Sequence, residues 1–302
     1  MSGVINSSSF AKALWPGVNA FYGKEYAEYP VEYDQLFDKF TSSRAWEEDV
    51  GISSFGLAAI KPEGSPISYD SERQGFTTRY NHVVYALGFI VTREAMEDDQ
   101  YDIVGQRKAQ GLAFSMRQTK EIVGANVYNR AFATYLGGDG VAMCVNNHPN
   151  IAGGTWSNIL TTASDLSEAA LEQANIDIAA FTNDRGLLIG VLPKSLIIHP
   201  SEMYNVKRIL GSDNRVSTAN NDLNALKVMG SIPSVVVNHY LTDSDAWFIR
   251  TNVKNGLKYF ERRADSFDMD NDWDTENAKF KATSRYSFGW TDPRAIYGSP
   301  GA

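Results

Sequence analysis

KFKATSRYSFGWTDPRAIYG, Lys279 to Gly298, is the stretch whose reading decides the fold. Taken in steps of two, Phe280, Ala282, Ser284, Tyr286, Phe288 and Trp290 fall on one side. Lys279, Lys281, Thr283, Arg285, Ser287 and Gly289 fall on the other. Successive side chains of a strand point to opposite faces, so the spacing predicts a strand with one apolar face. Asp292-Pro293 breaks it, because proline fixes φ and supplies no ladder donor. An apolar face needs cover, so the strand closes a sheet begun earlier in the chain.

Working back from it, Phe267 to Glu276 reads FDMDNDWDTE, with Asp268, Asp270, Asp272, Asp274 and Glu276 alternating with other residues. A calcium loop needs glycine at its sixth position and a bidentate acid at its twelfth. Counted from Asp268 these are Trp273 and Lys279, so no metal ligand set is assigned. The pattern predicts a strand with an acidic outer face, with Arg262 and Arg263 as a basic patch such a face could meet on another subunit. Upstream, the strand candidates are Val141–Val145, Leu187–Leu192, Ser195–His199, Ser234–Tyr240, Ala246–Thr251 and Gly256–Arg262. Helices are expected over Ser164–Thr182, with capping residues at its start, and over Ser201–Leu210. Residues 211–225 read as a polar loop.

The preceding stretch, Glu94 to Tyr135, holds no proline, and acids cluster at its start, where they suit the positive end of a helix. Apolar residues at three-, four- and seven-residue steps predict one helix of about 35 residues, roughly 50 Å long at 1.5 Å per residue. Gly137 to Gly140 ends it. Before it, residues 51–93 read as a long hairpin. One leg is Ile52–Ile60, the turn is Lys61–Pro66, and the return leg is the β-branched and aromatic run Phe76–Thr92. Residues 1–50 carry ten aromatics, among them Trp15, Phe21 and Tyr22, where a free tail would be polar. The two readings of this segment are a packed helix and an arm lying on a neighbouring subunit.

Composition bounds what such a chain does. Its 302 residues are 43% hydrophobic and 12% aromatic, enough for a sizeable core. The net charge of −8 argues against a protein whose task is to grip phosphate, though not against one that encloses DNA behind a repelling wall. Cys144 is the only cysteine, so no intramolecular disulfide forms. No apolar run approaches a membrane span and no signal peptide is evident at the start. Ser9 to Lys12 matches a serine–lysine motif by letter, but its companion signatures are missing. His82, His199 and His239 lack ligand spacing, and no phosphate-binding or dinucleotide loop is present. Neither a cofactor nor a catalytic residue is assigned. The one enzymatic alternative is a cytosolic thiol enzyme using Cys144 and His148, four residues apart, although VAMCV reads as core. A monomeric binding module is a further alternative.

The order of parts, aromatic arm, long ribbon, very long helix, inserted α/β unit and closing strand, resembles the major capsid proteins of tailed bacteriophages, with their Hong Kong 97-type α+β fold. Among these it is most similar to the Mu-like major head subunits. The residues that carry the likeness are Asn147-His148-Pro149 with the following Gly153-Gly154-Thr155-Trp156-Ser157-Asn158, then Leu171 onward with Pro193 to Pro200, and above all Arg285 to Trp290 with Asp292 to Gly298. The resemblance implies an N-terminal arm over 1–50 and an extended loop over 51–93. It implies a peripheral domain of 94–162 and 255–302 built on a spine helix, 94–135, and an axial domain over 163–254.

It also implies a structural role and no enzyme activity. Copies would form hexamers and pentamers of an icosahedral shell around double-stranded DNA, in the virion, assembled in the host cytoplasm. Scaffolding and portal proteins would be partners, a decoration protein could be another, and no membrane is involved. The arm stands almost at the start of the chain, which implies separate scaffolding or prior processing. Trp15, Phe21, Tyr22, Lys61, Phe76, Tyr80, Tyr85, Arg262 and Arg263 are the expected subunit contacts. An encapsulin-like shell around cargo enzymes is the alternative within the same fold.

Overall fold

A computed structural model describes residues 19–20, 22–28, 30–97, 101–133, 135–215, 222–272 and 275–302. After a first helix over residues 22–28 (α1), the chain makes the short helix α2 (Tyr33–Leu36) and strand β1 (Asp38–Thr41). A ribbon follows, β2 (Trp46–Ile52) against β3 (Gln74–Asn81), and then β4 (Val83–Val91). Helix α3 (Arg93–Glu97) precedes the long α4 (Tyr101–Asn129), whose 29 residues span about 43 Å. It is shorter than the sequence implied, because residues 131–133 already belong to turns in which Ala131 and Ala133 bond three residues back.

A small hairpin, β5 (His148–Pro149) with β6 (Thr155–Trp156), leads into the inserted unit. There α5 (Glu168–Ala179) is capped by Ser167, whose side chain accepts the Ala170 N–H. Strand β7 (Pro193–Ile198), α6 (Met203–Gly211), α7 (Ala225–Met229), β8 (Val235–Val237) and β9 (Trp247–Thr251) complete it. Val141–Val145 and Leu187–Leu192 form no strand, and α7, to which the sequence reading assigned no element, follows the polar loop, capped by Asn224 and closed by left-handed Gly230.

The closing pair is long. β10 (Leu257–Asn271) runs antiparallel to β11 (Ala278–Trp290), and the sheet order is β1-β10-β11-β4. The alternation of the opening stretch is present. Phe280, Ala282, Ser284, Tyr286 and Trp290 are buried, while Lys279 and Lys281 are exposed. The other face is covered only at its end. His82 Nδ1 lies 3.0 Å from Ser287 Oγ, and the Tyr80 ring lies over Gly289. After Asp292 caps a 3₁₀ turn, the chain does not stop but adds β12 (Ile296–Ser299) to a second sheet, β12-β9-β7-β8.

That second sheet is buried on both faces. Leu196, Ile198, Trp247, Ile249 and Tyr297 point into a core with α5, α6 and α7. Ile197, Phe248 and Ile296 point into another with Tyr128, Tyr259, Tyr286 and Trp290. Double burial is why these strands read as continuous apolar runs. A third core lies between α1, α4 and the far end of β10 and β11.

The ribbon differs from expectation. Pairing covers 46–52 with 74–81, and Ile52–Ile60 is not a strand beyond its first residue. Serines, alanines and Gly56 there offer little β propensity. Val83–Val91, expected in the ribbon, instead pairs with β11 and forms an edge of the first sheet. The acidic stretch also ends sooner. β10 stops at Asn271, and Trp273 and Asp274 lie outside the described residues. Asp268 and Asp270 stand opposite Lys281 and Lys279 in register, and Asp272 pairs with Lys279 at 2.5 Å, so the strip has basic neighbours on the adjoining strand of its own chain.

Candidate assembly surface

The root of the ribbon is fixed to its own chain. Lys258 pairs with Asp49 of β2, whose carboxylate also accepts the Thr291 hydroxyl at 2.8 Å. Thr291 lies 2.7 Å from the hydroxyl of Tyr80 on β3. A Cβ at Gly138 would meet Thr78 Oγ1 at 2.4 Å, so only glycine lets the backbone this near β3.

Beyond that root the chain has little cover. Residues 53–73 form no regular element, and Ser65 N–H closes the expected turn on the Pro62 carbonyl at 3.2 Å. Phe55, Leu57, Ile60, Ile67 and Tyr69 are exposed, Leu57 to 84% and Ile60 to 95% of their surface. Burying one such side chain stabilises by about 1.5–3 kcal/mol, so the loop holds apolar surface available for a contact. Lys61 is exposed on this loop, and Phe76 of β3 is exposed as well.

The arm residues behave otherwise. Trp15 and Phe21 lie outside the described residues. Tyr22 is buried. It stacks on Phe267 with ring centres 4.5 Å apart, and its hydroxyl donates to Asp265. Farther along, Glu121 of α4 accepts the N–H groups of Glu32 and Tyr33 at 3.2 and 3.0 Å. Lys120, also on α4, sits 5.3–5.7 Å from the ring centres of Tyr33, Tyr259 and Tyr286, with Glu261 at 3.5 Å. Burial pushes the Lys120 ammonium below its usual pKa and raises that of the Glu121 carboxyl. This stretch of the arm is therefore pinned to its own helix. Tyr22 and Tyr80 were expected as subunit contacts, but stacking and hydrogen bonding inside the chain take up their surface. Tyr85 is half-buried and stacks on Tyr286 at 4.7 Å. Arg262 is half-buried and Arg263 exposed, both on β10.

The residues that carried the sequence resemblance meet in space. Asn158 is fully buried. Its Oδ1 accepts the Val145 N–H at 2.9 Å and His148 Nε2 at 3.1 Å. Its Nδ2 donates to the carbonyls of Met143, Pro293 and Ile296 at 2.8, 3.2 and 3.3 Å. The Gly298 N–H returns to the Asn158 carbonyl at 3.1 Å. Beside this, Trp156 stacks on His148 and carries the guanidinium of Arg294 4.6 Å from its ring centre. Arg294 donates to Thr182 O, Asn150 and Asp184 at 2.8–3.2 Å. Sequence reading passed over Asn158 and Arg294 as individual actors. The only signal was that their two stretches stood out together.

This geometry does not support the thiol-enzyme reading. Cys144 is buried, and burial pushes its thiol up, away from the thiolate. His148 is fully buried, with Nδ1 held by Asp139 at 2.7 Å and Nε2 by Asn158. It orients a structural knot. Among the described residues no group of three or more His, Cys, Asp or Glu is placed to hold a metal ion, and no helix is long and apolar enough to cross a membrane.

A family model described as phage capsid protein matches residues 75–299. A search of curated proteins gave no match. Among solved structures the chain is similar to a virus-like particle from Pyrococcus furiosus, with 12% identity, TM-score 0.55 and coverage of 94% of this chain and 98% of that one. It is similar to the procapsid of bacteriophage JBD30, with 15% identity, TM-score 0.53 and coverage of 97% and 76%. A chain from Mycobacterium phage Patience has 13% identity, TM-score 0.53 and coverage of 99% and 89%.

Proposed function

The chain belongs to the phage capsid protein family and has the Hong Kong 97-type fold, and from that premise we propose how it builds a shell. Copies associate through the apolar segment 57–69, which each subunit leaves in water and a neighbour covers. The observation that carries this reading is the exposure of Leu57, Ile60, Ile67 and Tyr69 beyond a ribbon whose root is firmly held. Lys61 and Phe76, both exposed, are further candidates for this contact. Hexamers and pentamers of such subunits close an icosahedral head around double-stranded DNA. The acidic net charge suits a wall that DNA does not stick to.

The finer readings are that the chain stands nearest the Mu-like major head subunits and that its work is mechanical rather than enzymatic. Scaffolding and portal proteins, and in some particles a decoration protein, join it during assembly. The domain limits 1–50, 51–93, 94–162 with 255–302, and 163–254 describe parts with separate tasks of arm, loop, peripheral frame and axial unit.

The test is the double variant Leu57→Asp/Ile60→Asp. Both side chains are almost wholly exposed, so the subunit's stability should change by no more than about 0.5 kcal/mol. Particles should vanish from electron micrographs. Normal shells from this variant would overturn the reading. A second reading within the same fold is an encapsulin-like shell around protein cargo. Nuclease-protected DNA inside purified particles decides for the genome.

A further inference from the structure

The loop 53–73 springs from the ribbon, yet both its legs are tied to a turn in the inserted unit. Arg185 Nη2 donates to Asp70 Oδ1 at 3.2 Å and to the Ser71 carbonyl at 2.7 Å. Asn183 Nδ2 donates to Ser54 Oγ at 2.7 Å. Asp70 Oδ2 accepts the Gly56 N–H at 2.8 Å, which joins one leg to the other. The receiving turn is stiff. Asn183 Oδ1 accepts the N–H groups of Arg185 and Leu187, both at 2.9 Å, and Gly186 takes a φ of +79° that suits glycine. Arg294 holds this turn from beneath through Thr182 O and Asp184.

We propose that Arg185, through Asp70 and Ser71, is a positioning residue for shell assembly, fixing the direction in which segment 57–69 leaves its own subunit. The proposal rests on the reading of that segment as the contact between copies. An untied loop would sample many directions, and ordering it on contact would cost conformational entropy. The clasp shortens the free span from 53–73 to 57–69 before any neighbour arrives. A guanidinium suits this because its fork engages a carboxylate and a carbonyl at fixed angles. The clasp also makes the loop follow the inserted unit rather than the sheet from which its ribbon springs.

Four variants test it: Arg185→Ala, Arg185→Lys, Asp70→Asn and the exchange Asp70→Arg/Arg185→Asp. Hydrogen exchange of dispersed subunits reads the clasp, and light scattering with electron microscopy reads assembly. Arg185→Ala and Asp70→Asn should each speed exchange over residues 53–73 by about threefold or more, leaving β7 unchanged. Assembly should slow and particle size should spread. The exchanged pair regains the ion pair but can neither accept the Gly56 N–H nor donate to the Ser71 carbonyl, so it should recover both readouts only in part, and Arg185→Lys, which keeps the charge without the fork, should fall between wild type and Arg185→Ala. Unchanged exchange in Arg185→Ala overturns the clasp. Faster exchange with wild-type assembly, or with accelerated assembly, overturns the positioning role. If Leu57→Asp/Ile60→Asp assembles normally while Arg185→Ala still loosens the loop, the contact reading falls and this proposal falls with it, although the clasp itself stands.

Discussion

Replacing Asn158 with alanine should cost this subunit more stability than almost any other single polar change. The side chain sits where residues 143–148, 156–158 and 293–298 converge. Its Nδ2 donates to three carbonyls, so the oxygen facing His148 and Val145 is an acceptor, and both of those partners donate to it. Alanine leaves two buried donors without an acceptor, at about 1–3 kcal/mol each, and strips a donor from the three carbonyls. The sum is about 3–5 kcal/mol, a large part of the 5–15 kcal/mol that stabilises a typical domain. Urea unfolding in the Leu57→Asp/Ile60→Asp background, where subunits stay dispersed, measures it as a lower midpoint at unchanged slope. Asn158→Asp is the sharper arm. It keeps the acceptors but turns a carboxylate oxygen onto three carbonyls, so it should be at least as damaging as alanine. A loss below about 1 kcal/mol for Asn158→Ala, or a well-tolerated aspartate, would refute the account of the knot.

Cys144 should resist a disulfide-exchange reagent at pH 8 in the folded subunit and react fully once unfolded in urea, because burial disfavours its thiolate. Rapid labelling of folded protein would contradict that. The clasp should be acid-sensitive in a defined window. The Gly56 and Ser71 amides, then Arg185, hold the Asp70 carboxyl below its ordinary value of 3.8. Its contribution is therefore complete above that value and lost as pH falls through the lower folded one. Protection of residues 53–73, corrected for intrinsic exchange rates, should hold at pH 5 and fall only in stronger acid. Loss already between pH 7 and 5 would assign the effect to another group.

Much of the frame was legible because its forces are periodic. β11 announces itself by alternation, and α4 by a proline-free run with apolar residues at helical steps, Leu112, Met116, Val123 and Val127 among them. Legibility fails where a second layer intervenes. Nothing in the period of β11 shows that Tyr80 and His82 will cover Gly289 and Ser287. The ribbon was read as too long because Val83–Val91 has the composition of any strand, and only pairing with β11 tells which sheet owns it. Strands as short as β1 and β12 carry too few residues for a pattern. For the site, the exposed turn around Lys61–Pro66 was visible in prolines and glycine. Cys144 is core, as the apolar VAMCV implied, and its spacing from His148 carries no chemistry, because the partner that matters to the imidazole is Asp139, in the turn after the helix. The arm misled in another way. Aromatic content signals that a segment needs a surface, but not whose. Tyr22 found Phe267 of its own chain.

The placement of β12 has a practical bearing on how such subunits can be re-engineered. Its four residues lie beyond the closing strand, yet they complete the sheet of a unit whose other strands all come from Pro193 to Thr251. Anyone transplanting that unit into a relative, or trimming it away, would cut a sheet whose hem is sewn by distant thread. A chimera that moves 163–254 alone would inherit a foreign edge against Phe248, where Gly298 passes too near for any larger residue. A graft that travels with residues 293–299 keeps the seam intact.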